Sequence, residues 1–187
     1  DEYKSLIPNC PDFNVMLPEE WLKQALASEK FLAKEAKIKN ALEAIVRRNT
    51  PDQEVSSGAV NEDVIASCDY TEDFYLFCHC TEQALVPLSV QMWQQILAHF
   101  KLRLMPVSVA CCGMAGLFGH MKDNLDETRT VYEQNWQAKI RERDFAQCLI
   151  TGFSCRSQVH RMEHKRANHP IHVLANLLEQ AEQESKR

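Results

Sequence analysis

Apolar residues recur at helical spacing along the first part of the chain. Leu17-Pro18-Glu19-Glu20-Trp21 has the form of a helix start, with proline and acids in the first turn. Leu22 to Leu26, then Phe31 through Ile38, Leu42, Ile45 and Val46, continue an apolar stripe of the kind that packs against a core. This predicts a helical N-terminal segment over residues 1–52. Residues 50–63, opening with Thr50-Pro51-Asp52 and passing Ser56-Ser57-Gly58, are polar and carry a turn signal. They are expected to form a loop into a main domain over residues 53–187.

The period then changes. Phe74-Tyr75-Leu76-Phe77 is a short strand-like run, Leu102 to Val109 is a second, and Gln147 to Thr151 a third. Between and after them lie helical patterns. Leu88 to Phe100 carries Val90, Trp93, Ile96 and Leu97 on one face, Asn124 to Ile140 follows, and Ile171 to Gln183 is opened by His169-Pro170. Strands alternating with helices imply βαβ units and a parallel sheet. The predicted class is therefore α/β, three-layer, with a small parallel sheet preceded by the helical segment. No internal repeat is visible.

Composition narrows the function. At 187 residues and 45% hydrophobic content, the chain suffices for one ordinary domain with an appended segment. A net charge of −5 argues against a nucleic-acid or anionic-membrane surface as its main business. No apolar run approaches the roughly 20 residues that span a bilayer. Asp1-Glu2-Tyr3-Lys4 does not resemble a signal peptide and reads as a cut or processed start. The eight cysteines are then better read as reduced thiols in a cytoplasmic protein than as a disulfide framework.

The chemistry gathers at the predicted strand ends. The first strand runs into Cys78-His79-Cys80, the second into Cys111-Cys112-Gly113, and the third into Gly152-Phe153-Ser154-Cys155. In parallel sheets the carboxyl ends of strands share one edge, where ligands bind. Adjacent Cys111 and Cys112 can face one site only where the backbone turns, and Gly113 supplies that freedom. The stretch Gly113-Met114-Ala115-Gly116-Leu117-Phe118-Gly119 either brings backbone N–H groups to cluster sulfides or an anion, or is a small-residue turn packed on the sheet. Cys10 and Cys68 lie in polar surroundings and are expected to be incidental. Cys148 inside the third strand is expected to be a small buried hydrophobe. Cys78 can share the face of Cys80 or be a spectator. No Cys-x-x-Cys pair marks a zinc finger, and no dinucleotide fingerprint or nucleophile–base pair is present. A thiol–disulfide enzyme using Cys111 and Cys112 is disfavoured, because a vicinal disulfide is strained.

From Phe74 to Leu178 these residues resemble the family built on the CCG cysteine-rich domain. Its members include the cysteine-rich component of heterodisulfide reductase, the iron–sulphur component of glycolate oxidase and the third component of anaerobic glycerol-3-phosphate dehydrogenase. The resemblance rests on His79-Cys80-Thr81-Glu82, on Cys111-Cys112-Gly113 continuing through Gly116 and Gly119 to His120, on Thr151-Gly152-Phe153-Ser154-Cys155-Arg156-Ser157-Gln158, and on His169-Pro170-Ile171. It is closest to the C-terminal end of long bacterial enzymes that fuse a flavin domain, ferredoxin-like cysteines and this domain. Many family members end the motif with Cys-x-x-Cys and carry it twice. Here Gly152 takes the place of the first cysteine of that pair, and the motif occurs once.

The resemblance implies a metal-ligand set of Cys80, Cys111, Cys112 and Cys155, with His79 and His120 as spare candidates or hydrogen-bonding partners. Gly113, Gly116 and Gly119 would lie against the cofactor. It implies an iron–sulphur electron-transfer module, 4Fe-4S in the fullest form, of an FAD-linked D-2-hydroxy acid dehydrogenase, with zinc as an occupant of the separated domain. Flavin and hydroxy acid would bind parts outside this chain, so it holds no catalytic residue. Its partners would be the flavin domain and the other iron–sulphur region of the parent, passing electrons to an unidentified acceptor that could lie at a membrane. The alternative is a docking or lid domain with structural zinc or no metal.

Overall fold

In a computed structural model, residues 17–28 and 72–185 are described. The expected helix over Phe31–Val46, the loop at 50–63 and the residues Cys10 and Cys68 lie outside them. Helix α1 (Pro18–Leu26) starts where its proline and acids predict, and the Glu20 carboxylate accepts the Leu17 backbone N–H at 2.8 Å.

Strands β1 (Glu72–Phe77), β2 (Leu102–Pro106) and β3 (Cys148–Ile150) form one parallel sheet in the order β2-β1-β3. Register runs from Glu72 opposite Leu102 to Leu76 opposite Pro106, and from Tyr75 opposite Cys148 to Phe77 opposite Ile150. The second strand stops earlier than its apolar run, which extends to Val109. Pro106 is tolerated because β2 is an edge strand, and the Val107 N–H still donates to the Leu76 carbonyl at 2.9 Å. The outer side of β3 is met by the segment before the last helix, where the Ile150 N–H donates to the Asn168 carbonyl at 2.8 Å.

Strand alternation divides the core into two apolar layers. Phe74 and Leu76 of β1, Leu102 and Leu104 of β2, and Leu149 of β3 face one side. There they pack against Trp93, Ile96 and Leu97 of α3 (Ser89–His99), Leu174 of α7 (Pro170–Ser185), and Leu22 and Leu26 of α1. Phe77, Cys148 and Ile150 face the other. Their partners are Tyr132 of α4 (Leu125–Tyr132), Trp136 in a π-helical stretch (Glu133–Gln137), Ile140 of α5 (Ala138–Arg141), and Cys155 and Val159 of α6 (Phe153–Glu163). Helices thus cover both faces of the sheet, which is the predicted three-layer α/β arrangement. Cys148 is a fully buried hydrophobe.

Two helices were not legible in the sequence. The short α2 (Cys80–Leu85) begins at Cys80, and α6 begins one residue after Gly152. The predicted helix over Asn124–Ile140 is realised as α4, the π stretch and α5. Among the described residues, no helix is long and apolar enough to cross a membrane.

Candidate metal centre

β1 is the middle strand; the first crossover runs from it to β2 on one side, and the second returns past it to β3 on the other. Its carboxyl end is therefore the topological switch point, the place where open α/β sheets leave a crevice for a ligand. All three cysteine-bearing segments leave the sheet at this edge. Cys80 opens α2, Cys111 and Cys112 lie in the turns after β2, and Cys155 sits in the first turn of α6. Cys112 and Cys155 are buried, while Cys80 and Cys111 are partly exposed.

The Cys155 thiol sits beside the Cys112 sulfur in an orientation that favours the Cys112 thiolate. That neighbour, with the backbone N–H groups of Met114 and Cys112 and the Cys111 thiol nearby, outweighs burial and lowers the Cys112 pKa to about 7. The same interaction holds the proton on Cys155 and drives its pKa far up. Burial and the negative charge of Cys112 and Cys80 push in the same direction. Cys78 points instead into the apolar layer beneath α3. Burial and the Glu82 carboxylate raise it to about 12, as expected of a spectator.

The backbone around these thiols is set by packing. Gly113 has φ +94°, and a Cβ there would lie 2.5 Å from the Thr128 carbonyl oxygen, so only glycine makes this turn. The Gly113 N–H faces the Cys111 sulfur at 3.4 Å, and its carbonyl accepts from Thr128 Oγ1 at 2.8 Å. Gly119 is close-packed, with the position of a Cβ 2.7 Å from Met114 Sδ, and its N–H donates to the Met114 carbonyl at 2.8 Å. Its carbonyl accepts from Arg161 at 2.5 Å, which seats the glycine loop on α6. Gly116, at φ +67°, faces open space. Of the three glycines, Gly113 thus serves a thiol directly, and Gly119 serves packing.

A chain of oxygens runs behind the thiols. The His79 N–H donates to Thr151 Oγ1 at 3.0 Å, and the Thr151 hydroxyl bonds to the Glu82 carboxylate. Ser89 Oγ contacts the other oxygen of Glu82 and lies 2.6 Å from Glu19 Oε1 on α1. Arg156 clamps the end of β3, donating to the Ile150 and Thr151 carbonyls at 2.8 and 2.7 Å. The spare candidates separate. The His79 ring packs against Gly152 on the side of the Cys155 sulfur, whereas His120 is exposed at the end of a 3₁₀ turn.

Thiols suit soft metals and iron–sulphur clusters, so the side chains fit such a group in chemistry. Among the described residues, no group of three or more His, Cys, Asp or Glu side chains is drawn together to hold a metal ion. A cluster spreads its ligands around a larger body than a single ion does.

Fold and site together define a parallel α/β domain with a thiol-rich site at its switch point. Over 179 residues, 95% of its length, the chain is 38% identical to D-2-hydroxyglutarate dehydrogenase of Haemophilus influenzae. It is 34% identical, over the same share, to the D-2-hydroxyglutarate dehydrogenases of Pantoea ananatis and Escherichia coli. These matches cover only 15% and 14% of the relatives, so the chain corresponds to one part of much longer oxidoreductases. No family model and no solved structure matches it.

Proposed function

We propose that this domain is the C-terminal iron–sulphur electron-transfer module of an FAD-linked D-2-hydroxy acid dehydrogenase acting on D-2-hydroxyglutarate or a close analogue. The observation that supports the reading is that the segments bearing Cys80, Cys111, Cys112 and Cys155 all leave the sheet at its carboxyl edge, with Cys112 and Cys155 side by side. The similarity to D-2-hydroxyglutarate dehydrogenases supports the substrate class. Cys80, Cys111, Cys112 and Cys155 would hold the centre, and when bound it would supply one-electron transfer between the flavin part and the acceptor. Cys112 is prepared for ligation, because its pKa is lowered towards neutral pH, so the thiolate is more accessible than in an ordinary thiol. Gly113 orients a backbone N–H at Cys111, and Gly113, Gly116 and Gly119 together shape the loop that would close over the centre. Substrate and flavin would bind elsewhere in the parent.

Exposed Leu117, Phe118 and Met121, on the glycine loop, and Phe153, at the start of α6, surround this edge with apolar surface. They suit a docking face for the flavin part and the other iron–sulphur region of the parent. The same rim favours the second reading, a docking domain with structural zinc or no metal. One experiment separates the two. The full-length enzyme is purified anaerobically, with iron, sulfide and zinc quantified, beside Cys112→Ser. The redox reading expects Cys112→Ser to lose iron and acceptor turnover while substrate still reduces the flavin. Unchanged iron and turnover would leave the docking reading.

A further inference from the structure

Gly152 is a glycine without a backbone reason. Its φ of −71° and ψ of 128° are ordinary extended geometry that any residue adopts. What it lacks is room. A Cβ at position 152 would lie 2.6 Å from Cδ2 of His79, 3.0 Å from His79 Cβ and 3.0 Å from the sulfur of Cys155. The missing side chain lets one edge of the imidazole and the Cys155 thiol pack directly against the backbone at position 152.

The imidazole is held there from its backbone. The His79 N–H is fixed to Thr151, the neighbour of Gly152, and the His79 carbonyl accepts the Gln83 N–H at 3.0 Å in the first turn of α2. The ring itself is loosely engaged. Nε2, bonded to the Cδ2 that packs against position 152, has Ser154 Oγ at 3.4 Å, near the limit for a hydrogen bond. A ring nitrogen with a weak partner therefore stands beside Cys155 and one residue from Cys80.

Resting on the metal-centre reading above, we propose that His79 is a further ligand of that centre, binding through the imidazole that Gly152 allows to stand beside Cys155. Imidazole and thiolate together form a mixed ligand set of a kind that iron–sulphur centres and zinc accept. A neutral nitrogen at this position leaves a cluster less negatively charged than a further thiolate there would. His79 would therefore hold its reduction potential above that of an all-thiolate site.

The test uses the full natural chain, loaded with iron and sulfide anaerobically and reduced with dithionite. Its histidines carry ¹⁴N or ¹⁵N, and pulsed electron paramagnetic resonance reads nitrogen coupling to the cluster. The strong coupling of a directly bound imidazole is expected in the wild type and in His120→Ala, and its loss is expected in His79→Ala. Because His79→Ala can fail to load, His79→Cys serves as the second variant. It should keep the iron, lose the nitrogen signal and titrate at a lower potential. A cluster that depends on Cys112 but shows no strong nitrogen coupling, a coupling that survives His79→Ala, or an unchanged potential in loaded His79→Cys overturns the proposal alone. Iron content indifferent to Cys112→Ser removes the metal-centre reading and this ligand with it.

Discussion

The thiols of Cys112 and Cys155 lie side by side, and the interaction between them moves their acidities in opposite directions. In metal-free protein, thiolate absorbance in the ultraviolet should therefore show an early step near pH 7. In Cys155→Ala that step should move up, towards the ordinary thiol value of 9.0, because the largest cause of the shift is removed. Stability follows with the sign of each shift. Between about pH 7 and 9 the unfolded chain keeps the Cys112 proton that the folded chain has released, so stability rises with pH. Above 9 the unfolded chain releases protons that folded Cys155, Cys148 and Cys78 retain, and stability falls. Chemical denaturation of the metal-free protein across pH 6 to 10 checks both arms.

On the acid side the controlling group is His169. Burial, then the charge of Arg156, lowers its pKa to about 4, and its ring meets Trp93 edge-on at 5.3 Å. Its folded pKa lies below the unfolded value of 6.5, so its share of stability is complete above pH 6.5 and is lost as pH falls towards 4. Denaturation midpoints measured from pH 7 to 4 should decline in the wild type. His169→Gln should be weaker at neutral pH but should decline less over that range.

The two positive-φ glycines differ in what surrounds them. Gly113→Ala brings a Cβ against the Thr128 carbonyl as well as strained φ, and should cost at least about 2 kcal/mol. Gly116→Ala meets open space and should cost only the backbone term, about 1 kcal/mol. Urea denaturation of both variants tests the contrast. Equal losses would mean that the Thr128 contact carries no weight.

The 187-residue chain by itself should oxidise no 2-hydroxy acid, with or without added FAD, because the flavin site is assigned to the rest of the parent. A dye-reduction assay with D-2-hydroxyglutarate checks this, and turnover by this chain would place the substrate site within it.

The sheet was legible because its signal is simple. Phe74 and Leu76 alternate with Tyr75 and Phe77, and turn chemistry separates each strand from a helical stripe. That the segments bearing Cys80, Cys111 and Cys155 leave the sheet at one edge followed from parallel pairing alone. Helix α6 was hidden because its buried face carries Cys155, Gln158 and Val159, and the cysteine and glutamine read as chemistry rather than as core. Helix α2 is six residues long with no fully buried residue, too little for a period to show. The role of Gly152 could not be read from spacing, since it depends on a ring that starts 73 positions earlier in the chain.

The oxygens running from Thr151 through Glu82 and Ser89 to Glu19 have a mechanical consequence. Helix α1 cannot slide along α3 without either parting Ser89 from Glu19 or drawing on Glu82, and Glu82 holds the residue next to Gly152. A displacement at the outside of the domain thus has a lever arm ending at Thr151, where β3 gives way to the turn that carries Cys155.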